Sequence, residues 1–419
     1  MWVYIHMKSQ TQCRYISITE FFIFKIMFSL DIIKRGELDM LIKNGLMFSL
    51  KEKGFVKKDI LVEGSKIKLI SENIEGVDFY DADGKYIMPG LIEAHSHIGL
   101  WEEGIAWEGE DGSEESDPIM PGVRAIDSIN PFDRAFKEAL NGGVTVACTG
   151  PGSANVIGGQ FTIIKLHGNV IDNMIIRENA AIKCAFGENP KSAFGKSNKA
   201  PMTRMGIVYL IRKTLTDAKN YKISKEKAFK ENKEFYIDLD KEALLPLIDK
   251  EVPFKVHAHR ADDICTSIRI AKEFDIDLTL DHCTEGHLII DYLKENNYPI
   301  ISGPSFGSKS KIEINKKSYK TPGILNKAGL KVALTTDHNV MPQESLIMCA
   351  ILAVREGMDE FEALKSITIN PAEILKIDNI KGKLEEGMDA DIVIWDKSPL
   401  DIMARVESVF IEGEEVILN

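Results

Sequence analysis

Seven of the nine histidines stand in or just after short apolar runs: His95 and His97, His257 and His259, His282 and His287, and His338. Imidazole nitrogens are good ligands for divalent transition metals and good proton carriers at neutral pH. His95 and His97 are two apart at the end of a strand-like run, hence on one face, and can chelate one ion together. An isolated His-x-His arises by chance on surface strands. Here it is followed by His257, His282 and Asp337, each at the polar end of a later apolar run. Asp337 comes after Ala333-Leu334-Thr335-Thr336. A lone carboxylate there would be costly to bury, whereas a metal ligand that takes and returns a proton explains it.

Strands separated by helices must carry these residues. Residues 90–94, 144–149, 161–166, 181–186, 254–257, 278–280, 299–302 and 332–335 read as buried strands alternating with helical stretches. Eight such runs predict an α/β fold, a (β/α)8 TIM-type barrel whose C-terminal strand ends share one mouth. The third run, 161–166, could instead belong to a hairpin. Before and after the barrel, short strands punctuated by glycine over 40–89 and 381–419 predict a small composite β-sandwich built from both ends of the chain. Residues 90–380 then form the catalytic barrel. The polar, Lys-rich stretch 188–250 is long for a βα crossover and is expected to form a helical lid that opens with a turn at Asn189-Pro190. Residues 1–39 match neither a signal peptide nor a membrane span, and Met40 is expected to be the natural start, after a non-native leader extension.

The chain has 419 residues and a formal charge of −12, with basic residues scattered rather than striped. That balance disfavours nucleic acid and anionic membranes as partners and leaves a small-molecule substrate; a homo-oligomer is compatible with it. Six cysteines without a CxxC pair fit reduced thiols and a cytoplasmic location.

The run Met88-Pro89-Gly90-Leu91-Ile92-Glu93-Ala94-His95-Ser96-His97 resembles the first metal motif of the amidohydrolase superfamily. Asn370-Pro371-Ala372-Glu373-Ile374-Leu375, followed by Gly382, Glu386-Gly387 and Asp389-Ala390-Asp391, is similar to that superfamily's return into its β-sandwich. Within it the chain looks closest to the imidazolonepropionase-like and dipeptidase-like branches. The resemblance implies one metal on His95, His97 and Asp337 and a second on His257 and His282. The two would be bridged by a carboxylated lysine, Lys183, with Lys165 one strand earlier as the competing candidate. Either His257 or His259 could serve as the fifth-strand ligand, and the family pattern selects His257. Two Zn²⁺ ions suit this set, with Mn²⁺, Fe²⁺ or Co²⁺ as alternatives. The implied reaction is hydrolysis of the C–N bond of a small cyclic amide, another non-peptide amide or a dipeptide through a metal-bound hydroxide, with Asp337 as catalytic proton shuttle. A mononuclear heterocycle deaminase and a catalytically silent barrel used for assembly are the alternatives. Arg204, Arg260, His259 and His338 are candidate substrate contacts, with Arg204 on the lid expected to grip an anionic end. The acidic loop after the first motif, from Glu102 to Asp117, reads as a solvated face near the mouth.

Overall fold

A computed structural model describes residues 40–75, 79–416 and 418. The expected leader segment, 1–39, lies outside the described residues. Seven strands come first: β1 (Met40–Lys43), β2 (Leu46–Ser49), β3 (Gly54–Lys57), β4 (Asp59–Glu63), β5 (Lys66–Ser71), β6 (Tyr80–Asp81) and β7 (Tyr86–Pro89). Three close the chain: β16 (Ile392–Trp395), β17 (Val406–Ile411) and β18 (Glu414–Val416). They build two sheets, ordered β5-β4-β1-β6 and β18-β17-β16-β7-β2-β3. The second sheet joins both ends of the chain, for β7 pairs antiparallel with β16 in a register that sets Pro89 opposite Ile392. Ile42, Ile60 and Val62 from the first sheet and Ile87, Ile392 and Phe410 from the second share one buried cluster. Burial of such side chains stabilises by roughly 1.5–3 kcal/mol each.

Between these segments lie eight strands: β8 (Leu91–Ser96), β9 (Val144–Thr149), β10 (Ile157–Lys165), β11 (Ile175–Ala185), β12 (Phe254–Ala258), β13 (Leu278–His282), β14 (Ile300–Ser302) and β15 (Val332–Leu334). They form one sheet in sequence order. The Thr335 hydroxyl donates to the His95 carbonyl at 2.8 Å, and the Thr336 amide donates to the buried Glu93 carboxylate at 2.8 Å, so the last strand is drawn against the first and the barrel nearly closes. Gly90 admits Thr145, whose hydroxyl would lie 2.1 Å from a Cβ placed there.

The strict (β/α)8 alternation expected from the sequence needs correction at β10. That strand pairs antiparallel with both β9 and β11, so three consecutive strands form a meander. Antiparallel neighbours need only short connections, and no crossover helix is required there. The reading of 188–250 as a lid is corrected too. Helix Arg204–Lys230 buries Ile207, Ile211, Leu215 and Ala218 in one cluster with Ile182 of β11, Val256 of β12 and Ile268. It is the outer-layer crossover that parallel strands β11 and β12 require. Only the preceding helix, Glu188–Gly195, borders the mouth. Asn189-Pro190 lies in its first turn rather than in a loop, a position where proline's missing N–H costs no helical hydrogen bond.

Where the barrel meets the second sheet, Lys381 is buried with its ammonium 2.8 Å from Asp391 and 3.0 Å from Asp389. Asp391 also accepts from the Glu412 amide at 3.0 Å. Lys165 reaches Glu412 at 2.6 Å. Cys148, Cys184, Cys265, Cys283 and Cys349 are free thiols, and Cys184 and Cys283 belong to the apolar layer outside the strands.

Candidate active site

The C-terminal strand ends bring His95 (β8), His97 (just after β8), Lys183 (β11), His257 (β12), His282 (β13) and Asp337 (after β15) into one buried cluster. Register does this: β11 sets Ala185 beside His257 of β12, and β12 sets Ala258 beside His282 of β13. One Asp337 oxygen lies 3.3 Å from His97 Nε2 and 3.4 Å from His95 Nε2; the other lies 3.9 Å from His282. Lys183 Nζ is 3.3 Å from His95 Nε2. His282 and Asp337 hold φ values of 70° and 54°, left-handed conformations that non-glycine residues adopt at a cost and that cluster at functional sites.

Each of three rings is fixed through Nδ1. His97 donates to the Gly150 carbonyl at 2.6 Å and His282 to the Gly303 carbonyl at 2.7 Å, while His95 Nδ1 lies 2.8 Å from Asp281. These partners set the tautomer that leaves Nε2 with a free lone pair. His282 Nε2 is buried without a hydrogen-bond partner. Burial, reinforced by Lys183, lowers His95 to about 3, and burial together with His282 holds His257 and His259 well below the usual histidine range. Burial likewise lowers Lys183 to about 8, against the pull of Asp281 and Asp337. Burial opposes ionisation of Asp337, but the neighbouring histidines, His282 foremost, outweigh it and hold the carboxyl well below the usual carboxylate range. Neutral imidazoles, one carboxylate and an orphaned buried nitrogen are the donor set a divalent metal needs. Two groupings have ligand atoms close enough to hold an ion: His95, His282 and Asp337, and His257, His259 and His282.

The remaining candidates separate. His259 borders the cavity and bonds Thr284 at 2.8 Å. His338 is buried with neither ring nitrogen paired, and burial lowers it to about 4. Arg204 is spent on Asp263 at 2.9 Å, in a groove on the outer face, and Arg260 on Asp262 at 2.9 Å; neither lines the mouth. Lys165 points to Glu412, away from the histidines, because β10 runs in the opposite direction to β11. Of the acidic loop, Glu115 lines the mouth.

Several residues of the site escaped the sequence reading. Asp281, which braces His95, also faces buried Lys255 at 3.4 Å. A carboxylate and an ammonium inside the apolar runs Leu-Thr-Leu-Asp-His and Phe-Lys-Val-His-Ala were the available signal. Glu93 accepts from the Thr336 amide and hydroxyl, and burial raises it to about 7. Glu313 and Lys311 sit in a Lys-rich loop with no periodicity to mark them. Glu313 accepts from the Glu188 amide at 2.9 Å and lies 3.5 Å from His257. Above the cluster opens a cavity of about 760 Å³, sized for a small molecule.

A barrel with a mouth of this kind defines a class of hydrolase, and the comparisons agree. The profile of the Amidohydrolase family matches residues 222–416. The solved structure of an amidohydrolase from Thermotoga maritima MSB8 is 42% identical, with a TM-score of 0.88 over 91% of this chain and 100% of that one. Amidohydrolase tasK of Hapsidospora irregularis is 28% identical over 385 residues, 85% of this chain, which spans 39% of that protein's length. An imidazolonepropionase from Picrophilus torridus is 25% identical over 414 residues, covering 91% of this chain and 99% of its own. The chain belongs to the amidohydrolase family and is a hydrolase acting on carbon–nitrogen bonds. No helix among the described residues is long and apolar enough to cross a membrane.

Proposed function

We propose that the protein is a metal-dependent amidohydrolase that cleaves a small cyclic amide, another non-peptide amide or a dipeptide. The observation that carries this reading is the convergence of His95, His97, Lys183, His257, His282 and Asp337 beneath one cavity. His95, His97 and Asp337 would hold one divalent ion and His257 and His282 a second, with Lys183, carboxylated, between them. Bound there, zinc or a similar ion supplies Lewis acidity that makes water nucleophilic near neutral pH and polarises a carbonyl. Lys183 suits its part because burial favours the neutral amine, the form that takes up CO₂. Asp337, held ionised, accepts the proton lost by the attacking water and returns it to the leaving nitrogen. Asp281 keeps His95 in the tautomer that presents Nε2. Helix Glu188–Gly195 lines one side of the mouth, where it would limit access of bulk water.

The imidazolonepropionase and dipeptidase names among the relatives support C–N hydrolysis of small substrates. The test is a panel of dipeptides, cyclic amides and amino-heterocycles offered to zinc-loaded protein, read by amine release, ring opening and free ammonia. Hydrolysis of an amide without ammonia supports the reading, and ammonia from a heterocycle replaces it with the deaminase alternative.

A further inference from the structure

The wall of the mouth is chemically divided. Trp101, Phe306 and Met341, from the segments after β8, β14 and β15, supply apolar surface, and Trp101 packs edge-on against His97 with ring centres 5.1 Å apart. Elsewhere the lining carries the ammoniums of Lys196, Lys311 and Lys317, with Asp337 and Glu115 as its only carboxylates among the described residues. With the buried Glu313 that pairs with Lys311, three ammoniums face three carboxylates here, in a chain whose net charge is −12.

Lys311 is the built one of the three. Its ammonium donates to Asn189 at 2.8 Å and faces Glu313 at 2.7 Å. Glu313 is buried and 3.5 Å from His257, so Lys311 stands about two hydrogen-bond lengths from the floor of the site. An ammonium has three protons, and two are engaged. Lys317 by contrast donates to two backbone carbonyls, those of Phe306 and Ser308, at 3.0 and 3.1 Å.

Resting on the amidohydrolase reading, we propose that the substrate carries a carboxylate within a bond or two of the scissile amide. Lys311 receives it, and an apolar group of the substrate lies against Trp101 and Phe306. One remaining proton beside Glu313 fits a monoanion; a phosphate dianion would crowd its second charge against that carboxylate. The grip expected from the sequence thus passes from Arg204, tied to Asp263 on the outer face, to Lys311 on the inner one.

Isothermal titration of zinc-loaded protein with N-acetyl-L-leucine and with N-acetyl-L-leucinamide tests this. A charge-assisted hydrogen bond contributes roughly a tenfold preference or more for the acid. Lys311→Met and Lys311→Gln should lose that preference and keep the affinity for the amide, while Lys311→Arg keeps both. Melting temperature and zinc content identify which neutral variant is folded and to be read. No preference in the unaltered protein overturns the proposal. So does a preference that survives neutralisation, since the metal would then be holding the carboxylate. If no amide is hydrolysed yet the Lys311-dependent preference is present, the functional reading fails and the carboxylate site stands. Hydrolysis with a preference indifferent to Lys311 does the opposite.

Discussion

The two ends of the barrel treat buried polar groups in opposite ways. At the base, Lys381, Lys165 and Lys66 pair with Asp391, Asp389 and Glu412 in one network. At the mouth, His282 Nε2 is buried without a partner. Charges at the base are balanced inside the fold and so join the barrel to the sheet, whereas the mouth keeps a ligand nitrogen that no other residue pairs with. One end is arranged for stability and the other for chemistry. Damage to the two should therefore separate activity from folding.

The largest loss is expected from Asp337→Asn. It keeps an oxygen in place but removes the base, so turnover should fall by roughly 10²–10⁴ with metal content and melting temperature nearly unchanged. Near-normal turnover would move the proton shuttle elsewhere. At the opposite end, Lys381→Met leaves Asp391 buried without its counter-charge and should cost about 3–5 kcal/mol in denaturant unfolding while kcat of the folded fraction holds. Lost activity at unchanged stability would erase the contrast. Lys183→Ala should halve bound metal, from about two ions per chain to about one. Loading of the unaltered protein in bicarbonate should rise as pH is raised through about 8, because the neutral amine is the reactive form. Two ions and full activity in the alanine variant would refute the bridge. His257→Ala should weaken metal binding more than His259→Ala, because the family pattern puts the fifth-strand ligand directly after the apolar strand; equal losses would make both ligands, as the free Nε2 of His259 allows. The smallest effect on turnover belongs to Arg204→Met, whose pair with Asp263 lies on the outer face, away from the mouth. A changed KM there would contradict its placement on the outer face.

Much of this contrast is written locally in the sequence. Strands covered on both faces must be continuous apolar runs, so all eight barrel strands could be read, and polar residues at the ends of such runs have few reasons to be there except function. Strand direction is not local. Nothing in Ile163-Ile164-Lys165 says which way β10 runs, yet that direction decides that Lys165 faces the base while Lys183 faces the histidines. The crossover helix was mistaken for a lid because its buried face, Ile207, Ile211, Leu215 and Ala218, is a thin stripe within a highly charged segment. Lys311 and Glu313 acquire meaning only from the helix Glu188–Gly195 that folds beside them, far away in sequence.

The shared sheet has a consequence for the order in which the protein is made. Pro89 and its neighbours in β7 leave the ribosome long before Ile392 and the rest of β16 exist to pair with them. At synthesis rates of roughly 5–20 residues per second, the wait is on the order of tens of seconds. Throughout it one edge of β7 is unpaired and ready to accept a foreign strand. A nascent chain lacking its last strands should therefore be a strong client for chaperones that shield β edges, and arrest of translation before residue 392 should yield an aggregation-prone species even though every barrel strand has already emerged.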